Sequence, residues 1–244
     1  RIGVDKLPVE LVSVNGPIVI RHSEGDAWSF DAVVRVSAPT PDMAKSGLDS
    51  AWSWTHVQGA EHMLKARPTS GSISNVTQPL PLGSPGAAHV VSTRYTVTLP
   101  QWITLTKAVL EGANGDIMLQ WFHTEGLTIH TVNGGLEAVG WGTDVSLSTT
   151  NGGISASLLP TATGKYDIRT NNGSMTVKFD EDDSHGLDAD AKTQNGAVVL
   201  QFSHGKLTTD DRTHKHYKSD AFEDAAVKTT VTLRTTNGAI EASG

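Results

Sequence analysis

Seven Asn-Gly pairs punctuate this chain, at Asn15, Asn114, Asn133, Asn151, Asn172, Asn195 and Asn237. From Asn114 onward the steps are 19, 18, 21, 23 and 42 residues, the last being twice 21. A frame that recurs every ~20 residues marks a repeat architecture, in which each unit buries its apolar face only by stacking on its neighbours.

Five of the frames align closely: LTIHTVNGGLEA, VSLSTTNGGISAS, YDIRTNNGSMTVKF, ADAKTQNGAVVLQ and VTLRTTNGAIEAS. Ahead of each Asn, apolar and polar residues alternate, as in Leu127/Ile129/Thr131, Val145/Leu147/Thr149 and Tyr166/Ile168/Thr170. Ala189/Ala191/Thr193 and Val231/Leu233/Thr235 continue the series. After each corner the apolar places fall at Leu136/Ala138, Ile154/Ala156, Met175/Val177, Val198/Leu200 and Ile240/Ala242. A strict period of two means strands with one face buried.

Two architectures accommodate strand, Asn-Gly, strand. One is a meander of hairpins, since Asn-Gly suits the positive φ of a type I′ turn. The other is a solenoid whose coils stack in parallel. The position two before Asn is Thr in five successive copies, and stacking brings equivalent residues within about 4.8 Å of one another, a reason for repeating one residue at one depth. The solenoid is therefore the expectation, with Asn in the left-handed conformation at the corner and Gly leaving room for the adjacent coil.

The expected organisation is all-β: a single β-solenoid domain over 1–244 with rungs of roughly 20 residues. Residues 1–100 would form N-terminal rungs and an irregular cap, 101–205 the regular rungs, 206–228 an inserted loop, and 229–244 the last rung. The final TTNGAIEASG ends on an Asn-Gly strand pair with nothing after it. An exposed edge there would template another chain, so end-to-end self-association through rung edges is expected.

Composition narrows the partners. The formal net charge is −7 and no Lys/Arg block occurs. Nucleic acid is not expected, because phosphate recognition needs clustered cations. With no cysteine, disulfides, thiol nucleophiles and zinc-thiolate sites are excluded. No apolar run reaches the ~18 residues of a membrane helix. A chain starting at Arg1 is expected to be a processed product, with any signal or anchor removed.

The order of an opening VNGPIVI, a long excursion, RYTVTLPQWITLTKAVLEGANGDI and serial T-x-N-G-x-I-x-A units resembles an adhesin family of unknown function, widespread in bacteria and present in fungi. The step from Tyr95 to Pro100, followed by the Asn114 rung, is its most specific part. The resemblance covers nearly the whole chain and implies a β-helix-like fold in a secreted or cell-surface setting. It implies no catalytic residues.

Several constellations could carry chemistry. Trp52 and Trp54 lie two apart in an irregular stretch and offer indole faces for sugar stacking. In the insertion, His214 and His216 alternate onto one strand face, a metal-ligand arrangement if Asp210 or Asp211 converges on them, with Tyr217 alongside. The alternative is a solvated mixed-charge loop. Asp180, Asp182 and Asp183 form an acidic run that supplies hard oxygen ligands for calcium, although no EF-hand or nonapeptide calcium motif accompanies it. Otherwise no cofactor is expected. Asn75 fits the glycosylation triplet and lies in a loop, while Asn172 belongs to a corner. No nucleophile elbow or phosphate loop occurs. The expected function is a non-catalytic, adhesin-like β-solenoid that binds a glycan, a cell-surface polymer or a sister chain. The alternative is a carbohydrate-active enzyme, a polysaccharide lyase or glycoside hydrolase.

Overall fold

The structure is a computed structural model that describes residues 6–38, 40–43, 45, 52–57, 63–68, 89–179 and 185–244. It is all-β and open rather than closed into a barrel. Strands β1 (Val9–Ser13) and β2 (Ile18–Ser23) flank the first Asn-Gly corner, and β3 (Ser29–Ser37), β4 (Trp52–Val57), β5 (Met63–Pro68) and β6 (His89–Pro100) build the end beyond them. The repeating part comprises β7 (Ala108–Asn114), β8 (Ile117–Asn133), β9 (Leu136–Asn151), β10 (Ile154–Pro160), β11 (Gly164–Asn172), β12 (Met175–Phe179), β13 (His185–Asn195) and β14 (Val198–Gln201). Then come β15 (Gly205–Asp210), β16 (His214–Ser219), β17 (Val227–Asn237) and β18 (Ile240–Ser243).

The strands flanking each Asn-Gly do not pair with each other as a hairpin would. Each pairs in parallel with its equivalent in another repeat, so that Leu127, Ile129 and Thr131 lie opposite Val145, Leu147 and Thr149. The pre-corner arm runs β1, β7, the second half of β8, the second half of β9, β11, β17, β13. The post-corner arm runs β2, the first halves of β8 and β9, β10, β12, β18, β14. Alternate residues of both arms point into one shared core, with Leu110, Ile129, Leu147, Ile168 and Leu233 stacked in one column and Ile117, Leu136, Ile154, Met175 and Ile240 in another. Each such aliphatic side chain contributes roughly 1.5–3 kcal/mol of burial.

The repeated threonines form the expected column. Thr149 pairs with Thr131 and Thr170, and Thr235 lies between Thr170 and Thr193. All five are buried, and each hydroxyl donates to a corner carbonyl of an adjacent coil: Thr131 to Gly115, Thr149 to Gly134, Thr170 to Gly152, Thr235 to Gly173 and Thr193 to Gly238. A buried hydroxyl needs such an acceptor, which is why Thr serves here and Val would not.

The asparagines do something other than the sequence suggests. Of the seven corner asparagines only Asn15, at φ 51°, takes the left-handed conformation. The others form a side-chain ladder: Asn133 donates to Asn114 at 2.6 Å, Asn151 to Asn133 at 2.7 Å and Asn172 to Asn151 at 2.7 Å. Their amides are both donor and acceptor, so one residue type can repeat indefinitely along the axis. The expectation for Gly holds. At Gly134 and Gly152 a Cβ would collide with the backbone carbonyl of the preceding corner.

The order of the coils overturns the expectation of an open final rung. β17 and β18 do not end the stack: β17 lies between β11 and β13, and β18 between β12 and β14. The chain lays down the β13/β14 coil at a distance, turns back through β15 and β16, and fills the gap last in sequence. Outward of β13 lies β16, antiparallel to it, with β15 beyond. The other end is capped alike, by β3 antiparallel on β6 and β4 antiparallel on β5. On these strands the reversed direction removes the in-register template that an uncapped coil would present.

Candidate functional site

The hairpin β15–β16 places His214 and His216 on one face, as their alternation predicts. Their partners, however, are carboxylates of β13. His214 Nε2 is 2.9 Å from Asp190 Oδ1, and His216 Nε2 is 2.6 Å from Asp188 Oδ1. Arg234 of β17 also donates to Asp190. Asp210 pairs instead with Lys215, and the Asp211 amide closes the hairpin turn onto the His214 carbonyl at 2.9 Å. Tyr217 is buried, its ring 4.7 Å from that of Phe202. These five residues therefore do not converge, and no group of three metal-ligating side chains occurs among the described residues.

The Thr208 hydroxyl lies 2.8 Å from His216 Nδ1, completing a hydroxyl–imidazole–carboxylate chain with Asp188. Such a chain is the elementary outfit of a nucleophile and its base. Here Thr208 is exposed and also donates to the His216 carbonyl across the strands. The chain ties three strands together and docks the cap.

Asp190 feels opposing influences. Burial pushes its carboxyl up, while the hydrogen bonds and charges of Arg234 and His214 pull it down and prevail. Asp180, Asp182, Asp183 and Asn75 lie outside the described residues. Trp52 and Trp54 sit two apart on β4, opposite Pro68 and Ala66 of β5.

Among the indoles whose burial is described, Trp121 is the most exposed, at 63%. The register of β8 against β9 slips between Gln120 and Phe122, so Trp121 is the extra residue of a β-bulge. Without the bulge Trp121 would point inward and Phe122 outward. The reverse is found. Phe122 is buried against Gly140, where a Cβ would fall 2.7 Å from the Phe122 ring. Trp121 takes φ 59°, a left-handed conformation that costs an ordinary residue roughly 1–2 kcal/mol. A bulky aromatic held there is a genuine backbone outlier, the kind that collects at functional sites.

Other rings lie nearby in the fold's sequence and register. Trp141 on β9 lies opposite His123, their rings 5.9 Å apart, and Thr104 Oγ1 is 3.1 Å from His123 Nδ1. Trp102, 47% exposed, occupies the turn that leads into Ile103 and Thr104. The sequence signal that reveals the site is the adjacent pair Trp121-Phe122. After IMLQ an unbroken alternation would bury Trp121 and expose Phe122, and the bulge inverts that choice.

A stack of parallel, in-register coils built on Asn-Gly corners defines a solenoid-like, all-β repeat protein. The chain belongs to the Toastrack family, DUF4097, whose family model matches residues 55–242. Its fold is similar to that of a candidate cell adhesion protein from Clostridium sporogenes ATCC 15579, with a TM-score of 0.53 at 14% identity, covering 99% of this chain and 93% of that one. A fainter likeness, TM-score 0.33 at 10% identity, links it to a candidate adhesin from Bacteroides fragilis NCTC 9343, over 98% of this chain and 92% of that one. No curated protein matches the sequence. Among the described residues no helix is long and apolar enough to cross a membrane.

Proposed function

We propose that this chain is one continuous β-solenoid that acts as a non-catalytic, adhesin-like binding protein, secreted or held at a cell surface, and that it grips a glycan or surface polymer. The observation that carries this reading is Trp121, an indole kept in solvent by a strained backbone at a bulge of β8. An exposed indole offers a sugar ring a broad apolar face with little side-chain entropy to lose. The adhesion-related description of the similar Clostridium structure points the same way.

The test is a polysaccharide panel, with binding and turnover measured on the same samples. Binding of an uncharged polysaccharide by the intact chain, its loss in Trp121→Ala, and no new reducing ends or 4,5-unsaturated products across the panel support the proposal. Wild-type binding in Trp121→Ala would move the site elsewhere. Steady product formation that vanishes in His216→Ala would favour a carbohydrate-active enzyme using Thr208, His216 and Asp188.

A further inference from the structure

The solvent face of the pre-corner arm carries a row of cations that the indole site leaves unused. Register places Arg169 of β11 beside Arg234 of β17, and Arg234 beside Lys192 of β13. Adjacent strands lie about 4.8 Å apart, so three positive side chains occupy three consecutive steps of the stack. Equivalent places earlier in the stack hold Ser148, His130 and Glu111. The row is thus confined to one end of the arm. It exists because the β17 coil enters between the other two and brings Arg234 with it.

The neighbouring row toward the corner is uncharged. The Thr236 hydroxyl donates to the Asn171 side-chain oxygen at 3.1 Å, which leaves the Asn171 amide hydrogens outward. Asn171, Gln194, Thr236 and the three cations line a cleft of about 460 Å3. Two carboxylates offset part of its charge. Asp167 takes the Nε edge of Arg169 at 2.6 Å, leaving the outer guanidinium nitrogens directed elsewhere. Asp190 is shared between Arg234 and His214. Lys192 has no carboxylate partner among the described residues.

Like charges on adjacent strands destabilise a sheet. In a chain of net charge −7, Asp167 and Asp190 compensate Arg169 and Arg234, but Lys192 has no such carboxylate among the described residues. An anion laid along the row supplies that counter-charge. We propose that this cleft binds an acidic polysaccharide, with carboxylate or sulfate groups spanning Arg169 and Lys192 across Arg234, and with sugar hydroxyls meeting Asn171, Gln194 and Thr236. Guanidinium edges suit such oxyanions in paired hydrogen bonds. Three cations are too few for the extended phosphate tracking that nucleic acid requires. The site lies on the arm opposite Trp121 and does not depend on it.

The experiment titrates the intact chain with polygalacturonate, dextran sulfate and neutral dextran at low and high salt. Polygalacturonate distinguishes carboxylate from sulfate recognition. Binding of either polyanion but not dextran is expected, weakening as salt screens the charges. The double variant Arg169→Gln/Lys192→Gln should weaken that binding by at least about tenfold, the loss expected for two charged hydrogen bonds. Both side chains are exposed, so its melting temperature should match the wild type. Trp121→Ala should leave polyanion binding intact, which separates this site from the indole site. Equal binding by the double variant, equal binding of neutral dextran, or tighter binding of single-stranded oligonucleotide than of both polyanions would overturn the proposal.

Discussion

Asn237 donates its side-chain amide to Asn172 at 2.7 Å, across 65 residues of sequence. Asn195, the corner nearer to it in the chain, donates to Asn237 from the other side at 2.8 Å. The final coil is thus a filler between two coils made earlier, hydrogen-bonded on both edges in both arms. In a repeat stack, stability is a sum of coil and neighbour terms, so removing an interior coil severs everything beyond it.

Deleting 227–244 should therefore unseat 185–226 while sparing the middle of the stack. Hydrogen exchange is the measurement: amides of β13 and β14 should lose protection, and those of the β8–β9 pairing should keep it. A synthetic peptide of 227–244 should restore the lost protection. Unchanged protection of β13 in the truncated chain would show that β13 and β14 hold without the filler.

The corners predict a sharp contrast between two glycines. At Gly152 a Cβ would fall 2.6 Å from the Gly134 carbonyl carbon, and the rigid ladder leaves nowhere to shift. Around Gly25 a Cβ would meet nothing within 4 Å. Gly152→Ala should cost about 3 kcal/mol or more, at the upper end of overpacking penalties. That corresponds to a melting temperature lower by about 10 °C for a chain of this size. Gly25→Ala should fall within about 0.5 kcal/mol of wild type. Thermal melts of the two variants provide the check, and equal melting temperatures would mean the corners are softer than their geometry implies.

Much of this fold is legible in the sequence. The Thr131-to-Thr235 series fixes both the parallel pairing and its register, because a buried hydroxyl at one depth in every repeat has a use only where coils align. The order of coils is not legible, for the same reason. T-x-N-G-x-I-x-A units are so alike that the β17 coil fits against β11 as well as the β13 coil would, and nothing local records which neighbour it takes. The asparagines mislead in a different way. Asn-Gly signals a turn through backbone preference, whereas the six later asparagines act through side-chain amides that meet only after stacking. The hairpin histidines alternate visibly, yet their carboxylates come from β13, a strand the local sequence does not name. Trp121 is legible only as a breach of alternation, and a single breach does not announce which way the indole turns.

Trp121 itself separates stability from binding. Glycine adopts φ 59° freely, and an indole this exposed gives up little burial when removed. Trp121→Gly should raise stability by about 1 kcal/mol in chemical denaturation while abolishing the binding of uncharged glycan. Trp121→Ala should also lose that binding but gain no such stability, since alanine keeps the strain. A glycine variant that is less stable than the alanine variant would show that the bulge is relaxed.

The two ends of the stack should respond to acid in different ranges. His22, on β2 beside Leu99 of β6, has its pKa pushed below the ordinary imidazole value by burial, which outweighs an opposing backbone hydrogen bond at Pro100. Its buried Nδ1 has no hydrogen-bond partner among the described residues. The folded chain therefore keeps this ring neutral where the unfolded chain protonates it, at about pH 6.5. Below that pH the unfolded state binds more protons, so stability falls with pH until the folded ring also titrates. Asp190, at the far end, has a lowered pKa as well. Its contribution is present above the ordinary carboxylate value of about 3.9 and is lost only as pH falls through the lower folded value. Melting temperatures between pH 8 and pH 5 should decline less steeply for His22→Gln than for wild type, while Asp190→Asn should lower that whole stretch evenly and alter its slope only at more acidic pH. Parallel wild-type and His22→Gln curves would assign the decline to other histidines.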